Sequence, residues 1–217
     1  SLKRVFRGKM SIVKNTIVFA LSETINKGIP FLLLPLFTRV LTPEDYGVYA
    51  VFLAIFNFVC VFVGLSCHAA IETAYFKLSK SKLSEYIFNG IVILLVTTIV
   101  SALLIGAILM FLGFDPIIGA IVYLIPFLCF FQFLIHIKTS LWVAEGKASY
   151  FGVFNIAQTL TVASVTIVLV LWYHAGWYGQ VIGFSVGLAM FAIIAAVVLY
   201  KTGFLACSGL VINIRLL

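Results

Sequence analysis

The sequence predicts an all-α integral membrane protein, a bundle of six transmembrane helices. Three observations predict it. The chain is 64% hydrophobic and only 10% charged over 217 residues, whereas a soluble domain usually carries about 25% charged residues. That leaves too little polar surface to cover a water-soluble globule. Six apolar stretches run at about 13–37, 47–67, 87–112, 117–137, 150–173 and 178–200, each long enough to cross the hydrocarbon core, which takes about 20 residues. The stretches lack the period-two alternation of a barrel, so helices are predicted. The net charge of +7 comes from basic residues set between the apolar runs, which fits membrane anchoring and gives no nucleic-acid surface.

Residues 1–9 form a basic extension, expected to face the cytoplasm. Met10 opens a plausible native start, and 1–9 are expected to lie upstream of it. No small-residue cleavage site follows, so this is not read as a removed signal peptide. The membrane-embedded part is predicted to run over 10–204, with 205–217 as a cytoplasmic tail, expected to be truncated.

The first span carries Glu23, Asn26, Lys27, Gly28 and Pro30. A charge at the bilayer centre costs roughly 2.5–3.5 kcal/mol on insertion scales. Glu23 and Lys27 stand four residues apart with the acid first, which lets them pair on one helix face. They are read either as an ion pair that fixes helix packing or as the lining of a polar cavity. Pro30 removes a helical hydrogen bond, so a bend is predicted there, with Gly28 beside it as hinge. In the following loop Thr42 is expected to cap a new helix, with Pro43 in its first position and Glu44 and Asp45 at its positive end.

The second span contains Asn57, and His68 and Glu72 follow it. A basic connection over 77–86 leads to the third span, and Gly113–Pro116 is a tight turn. The fourth span holds Pro126 and Gln132 and is expected to end near His136, with Lys138–Ser149 as the next loop. The fifth carries Asn155 and Gln158, with Thr159 and Thr161 nearby. Asn57, Asn155 and Gln158 are candidates for a cavity wall or for interhelical hydrogen bonds of about 0.6–2 kcal/mol each. In the sixth span Gly179, Gly183 and Gly187 form a small-residue ladder suited to close helix packing.

Twelve of the 14 basic residues fall on one side of these spans; Arg39 falls on the other and Lys27 inside a span. That bias predicts both termini in the cytoplasm. Cys60, Cys67, Cys129 and Cys207 make no C-x-x-C pair and are read as small hydrophobes. No catalytic motif, phosphate-binding glycine loop or metal-ligand spacing is present. No enzyme activity, metal or cofactor is therefore expected, and any transport would draw on an ion gradient, the membrane potential or consumption of the product.

The run from Gly28-Ile29-Pro30 through Thr38-Arg39-Val40-Leu41-Thr42-Pro43-Glu44-Asp45-Tyr46-Gly47-Val48-Tyr49 resembles the opening of bacterial polysaccharide flippases, within the multidrug/oligosaccharidyl-lipid/polysaccharide exporter superfamily. Lys14 and Glu145-Gly146-Lys147 look similar too, and the resemblance extends over about 10–204. It implies an inner-membrane exporter that flips polyprenyl-diphosphate-linked oligosaccharide repeat units for O-antigen or capsule synthesis. Such exporters have two six-helix lobes around a cationic cavity, and this chain is similar to the amino-terminal lobe. The resemblance implies H+ or Na+ as coupling ion and a polysaccharide polymerase as working partner. On it, Lys27 and Arg39 would meet the diphosphate, and Glu23 would hold Lys27 or carry a proton. Two alternatives stay open: a multidrug-type cation antiporter lobe, and a membrane fragment that transports nothing.

Overall fold

The computed structural model describes residues 2–64, 67–113 and 116–205. Of the tail expected over 205–217, only residue 205 is among them, and the side chains of the extension over 1–9 lie outside the description. The described chain is helical apart from its short connections, as the apolar runs require once no water is present to satisfy backbone groups. Seven helices follow one another: α1 (Leu2–Val40), α2 (Pro43–Gly64), α3 (Cys67–Lys77), α4 (Lys80–Leu112), α5 (Pro116–Ala144), α6 (Ala148–Leu171) and α7 (Gly176–Lys201). Six of them are long and apolar enough to cross a membrane. The protein is thus a multi-pass membrane protein.

Three features differ from the sequence expectation. The short helix α3 was not foreseen. At 11 residues it is too short to span, yet it buries Ile71 and Ala74 and packs on α4. Helix α4 starts at Lys80 rather than near 87, because Leu83 and Ile87, one turn apart, are both buried. Helix α5 runs on to Ala144 instead of giving way to a loop at Lys138. Leu134, Ile137 and Leu141 keep an apolar stripe in register there and are all buried. Thr139 Oγ1 donates to the Ile135 carbonyl at 3.0 Å, so its hydroxyl does not interrupt the helix.

Local signals set the ends. Thr42 Oγ1 accepts from the Asp45 amide at 3.1 Å and donates to Asp45 Oδ2 at 2.8 Å, while the Thr42 amide donates to the same carboxylate at 3.2 Å. This reciprocal capping box starts α2 where the sequence placed it. At the end of α5, Gly146 takes φ +69, a conformation that costs a residue with a Cβ. The Gly146 amide donates to Val143 O at 3.0 Å and the Lys147 amide to Trp142 O at 2.9 Å, the paired bonds of a Schellman stop. Helix α7 ends in the same way at Gly203, with amide bonds from Gly203 to Tyr200 O and from Phe204 to Leu199 O.

The chain forms two compact units. Among the described residues, the first gathers those up to Tyr46 with 141–187, and the second gathers those from 47 to 140 with those from 188 onward. In the first, α1 lies against α6, and the early turns of α7 pack on α6. Gly179, Gly183 and Gly187 bring α7 onto α6: a Cβ at Gly183 would strike the Thr166 backbone at 2.9 Å, and one at Gly179 would meet Val170 Cγ2 at 3.0 Å. In the second, Leu83, Ile87 and Leu94 of α4, Ile125, Leu128 and Cys129 of α5, and Ala195 and Leu199 of α7 are all buried.

Candidate functional site

The first unit is built on the seam between α1 and α6. Asn15, Phe19, Ser22, Asn26, Leu33 and Phe37 recur at intervals of three, four and seven residues, so they share one face of α1. Going up that face, Asn15 Nδ2 donates to Gly146 O at 2.8 Å, and the Phe19 ring meets Phe151 edge-on at 5.1 Å. Ser22 fits against Gly152, where any Cβ would collide with its hydroxyl. Asn26 accepts a hydrogen bond from the Thr159 hydroxyl. Beyond it, Phe37 and Leu41 pack with Val170, and Leu33, Tyr46 and Ile167 surround them. Contact positions rise together on both helices, so α1 and α6 run parallel. The seam is polar in its first half and apolar in its second.

Glu23 and Lys27 are not on that seam. Each residue of a helix turns by about 100°, so Lys27 stands a quarter-turn or more from Asn26. It is exposed, whereas Glu23 and Asn26 are half-buried. Among the described residues Glu23 and Lys27 form no ion pair with each other, whereas Lys147 and Glu145 do form one, at 2.7 Å. The expected i, i+4 pair is therefore replaced by two separate groups on one flank. An exposed pair of this kind contributes only about 0.3–0.5 kcal/mol, which side-chain entropy readily offsets.

Lys27 lies twelve residues after the start and thirteen before the end of the span Asn15–Val40. At 1.5 Å per residue that is about 18 Å from either end, too deep for a lysine stem to lift its ammonium into the interface. Arg39 is exposed in the last turn of α1, where a cation also suits the negative helix end. It too sits about 18 Å along the helix from Lys27, so the two cations are separate points of contact. Pro30 and Pro35 both lie inside α1, which continues through them as helix. Nothing approaches within 4 Å of a Cβ placed on Gly28, so that glycine is not there to admit a neighbour.

Of the remaining candidates, Asn155 and Gln158 are half-buried on α6 beside Thr159, within the same unit as Asn26. Asn57 is exposed on α2 in the other unit. The structure thus joins Asn26 to α6 through Thr159 and leaves Lys27 and Glu23 on the open flank of α1. Among the described residues no group of three His, Cys, Asp or Glu side chains could hold a metal ion.

Sequence reasoning missed the tie between Asp45 and α7. Besides its capping bonds, Asp45 Oδ1 accepts from the Trp177 amide at 3.2 Å, and Gly176 lies close against the carboxylate. The glycine just before Trp177 was the available signal. Sequence reasoning also missed Lys138, which is 1% exposed inside α5. A lysine within eight residues of a helix end reads as loop until its apolar neighbours are counted.

The chain matches the model of a family described as polysaccharide biosynthesis protein over residues 12–215. It is 25% identical over 168 residues to an uncharacterized membrane protein of Haemophilus influenzae, covering 76% of this chain and 39% of that protein. It is also 24% identical over 165 residues to the Lsg locus putative protein 1 of Haemophilus influenzae, again covering 76% of this chain and 39% of that protein. The matched part therefore spans well under half the length of these relatives. No solved structure matches.

Proposed function

This chain belongs to the polysaccharide biosynthesis protein family, and on that premise we propose that it forms one lobe of an exporter that flips polyprenyl-diphosphate-linked oligosaccharide units across the bacterial inner membrane for surface polysaccharide synthesis. Lys27 is the observation that carries this reading. A cation fixed at mid-span and left open by its own lobe needs water or an anion beside it, since lipid would charge several kcal/mol for it. A diphosphate crossing the membrane is such an anion, and charge-assisted hydrogen bonds to its oxygens favour it.

Asn26, Asn155 and Gln158 give the pathway a polar wall, and Asn57, exposed on α2, is a separate candidate for contact with the substrate. Arg39 meets the headgroup at the outer end. Gly28 and Pro30 let α1 bend between inward- and outward-open states. Glu23 restrains Lys27 or takes up a coupling H+; Na+ is the alternative coupling ion. The basic bias of the loops favours both termini in the cytoplasm; the polymerase machinery that would use the exported units would meet them on the opposite side of the membrane.

The test is complementation of a strain that lacks the native gene. Lys27→Ala is expected to cut surface polysaccharide about 10–100-fold at equal membrane abundance, the loss of a charged hydrogen bond of 1.5–3 kcal/mol. Lys27→Arg should retain most of the export. Full export by Lys27→Ala would remove this residue from the mechanism. Glu23 on the same flank favours a second reading, export of cationic drugs. It would be supported if Glu23→Gln abolished drug resistance while polysaccharide stayed unchanged.

A further inference from the structure

Two of the four cysteines meet inside the second unit. Cys60 lies on α2 and Cys129 on α5, both within membrane spans. They stand 69 residues apart in sequence, yet Cys60 Sγ donates to Cys129 Sγ at 2.8 Å. Cys129 Sγ donates onward to the Phe56 carbonyl at 3.6 Å. Both are free thiols. A disulfide holds its sulfurs about 2.05 Å apart, so roughly 0.8 Å of approach would join these two.

The contact belongs to a packed interface. One turn further on, Gly64 of α2 lies against the Phe133 ring of α5. Positions therefore advance by four on both helices, and α2 and α5 run side by side in the same direction. Phe56, Val59 and Val63 of α2 are buried, as are Ile125, Leu128 and Phe133 of α5.

The two sulfurs differ in access. Cys129 is 0% exposed, whereas Cys60 is half-buried. Phe58, Val61 and Phe62, close to Cys60 in the chain, are all exposed. The way to Cys60 is therefore through an apolar, membrane-facing surface. Glutathione acts from water and carries charges that hydrocarbon excludes. An oxidant that reaches Cys60 must itself dissolve in the membrane.

We propose that Cys60 and Cys129 are a redox pair that a membrane-soluble quinone converts into a disulfide joining α2 to α5. The Cys60 sulfur adds to a quinone carbon, and its proton passes to a quinone oxygen. The Cys129 sulfur then attacks the Cys60 sulfur. The S–S bond forms, the S–C bond breaks with its electron pair left on the ring, and the Cys129 proton completes the hydroquinone. Two thiols are oxidised and one quinone is reduced. A proton leaves with each bond change, so no thiolate persists in hydrocarbon, where a bare charge is costly. Cys129 needs no access of its own, because the sulfur it attacks is already beside it. The pair rests on the packing of the second unit and stands apart from the export reading.

The test uses the full chain in native membranes, with Cys67→Ser and Cys207→Ser in place so that the pair alone remains. Decylubiquinone is added and removed, and free thiols are counted after denaturation with a maleimide-linked polyethylene glycol. Both thiols are expected to vanish from the count and to return on reduction with dithiothreitol. Cys129→Ser should leave Cys60 countable after the same treatment. Cys60→Ser with Phe58→Cys moves the first thiol to the opposite face of α2. It should abolish the cross-link at unchanged membrane abundance, since side chains that point apart cannot be bridged. Oxidised glutathione, which stays in water, should leave both thiols free. Two countable thiols after decylubiquinone would overturn the pair. An equal yield from the Phe58→Cys arrangement would reduce it to random collision and overturn the geometry. Oxidation by oxidised glutathione would overturn the assignment to a membrane-soluble oxidant.

Discussion

Asn26 and Lys27 are neighbours in sequence that do different work. Asn26 faces α6 and takes a hydrogen bond from Thr159, while Lys27 projects from the open flank. The Asn26–Thr159 contact should be worth about 0.6–2 kcal/mol, as interhelical hydrogen bonds in membranes are. A double-mutant cycle of Asn26→Ala and Thr159→Val, read by denaturant unfolding in micelles, should return a coupling energy in that range. A coupling indistinguishable from zero would mean that the two groups do not meet. That Asn26 matters was legible from its position inside an apolar run. Its partner was not, because choosing among Asn155, Gln158, Thr159 and Thr161 requires the long-range register of α1 on α6. The ion pair expected between Glu23 and Lys27 failed for a related reason: spacing makes such a pair available but does not make it favourable when both side chains can reach other surroundings.

Elements were most legible where the signal is local. The Thr42–Asp45 box starts α2 as its residues require, and the glycine ladder of α7 seats on α6 as its spacing requires. Asp45→Ala should cost about 0.5–2 kcal/mol from loss of the cap, with further loss from the freed Trp177 amide, measurable as a lowered unfolding midpoint. Gly183→Val should cost about 1–3 kcal/mol, because its new atoms overlap the Thr166 backbone. Gly28→Ala is the opposite case. Its surroundings are open, so the helix should gain up to about 1 kcal/mol. If Gly28 acts as a hinge, export should fall even as the unfolding midpoint rises; export that is unchanged would leave Gly28 without that role. The end of α5 was not legible. Lys138 signals a loop by its charge, while the stripe of Leu134, Ile137 and Leu141 signals continued helix, and burial decided for the stripe. Helix α3 escaped because a short run with Glu72 and two flanking polar residues has no periodicity strong enough to stand out from a loop.

At the scale of the whole molecule, the membrane class was legible from composition alone, since no arrangement in water could cover so much apolar surface. The distribution of basic residues predicts an orientation that is open to direct test. In sealed right-side-out vesicles, Lys82→Cys should be protected from an impermeant thiol reagent and Thr42→Cys should react. The reverse pattern would invert the lobe. The export reading turns on what surrounds Lys27 in the bilayer. Val96 is a fair comparison, being mid-span in α4 and 53% exposed, with Val92, Ile93, Ile99 and Val100 a turn away on the same helix face. In a background with Cys60, Cys67, Cys129 and Cys207 replaced, Lys27→Cys and Val96→Cys can be reacted in native membranes with a membrane-impermeant maleimide. If α1 lines a water-filled pathway, Lys27→Cys is labelled and Val96→Cys is not. If Lys27→Cys stays as protected as Val96→Cys, its flank faces lipid or a dry interface and the pathway does not run along α1.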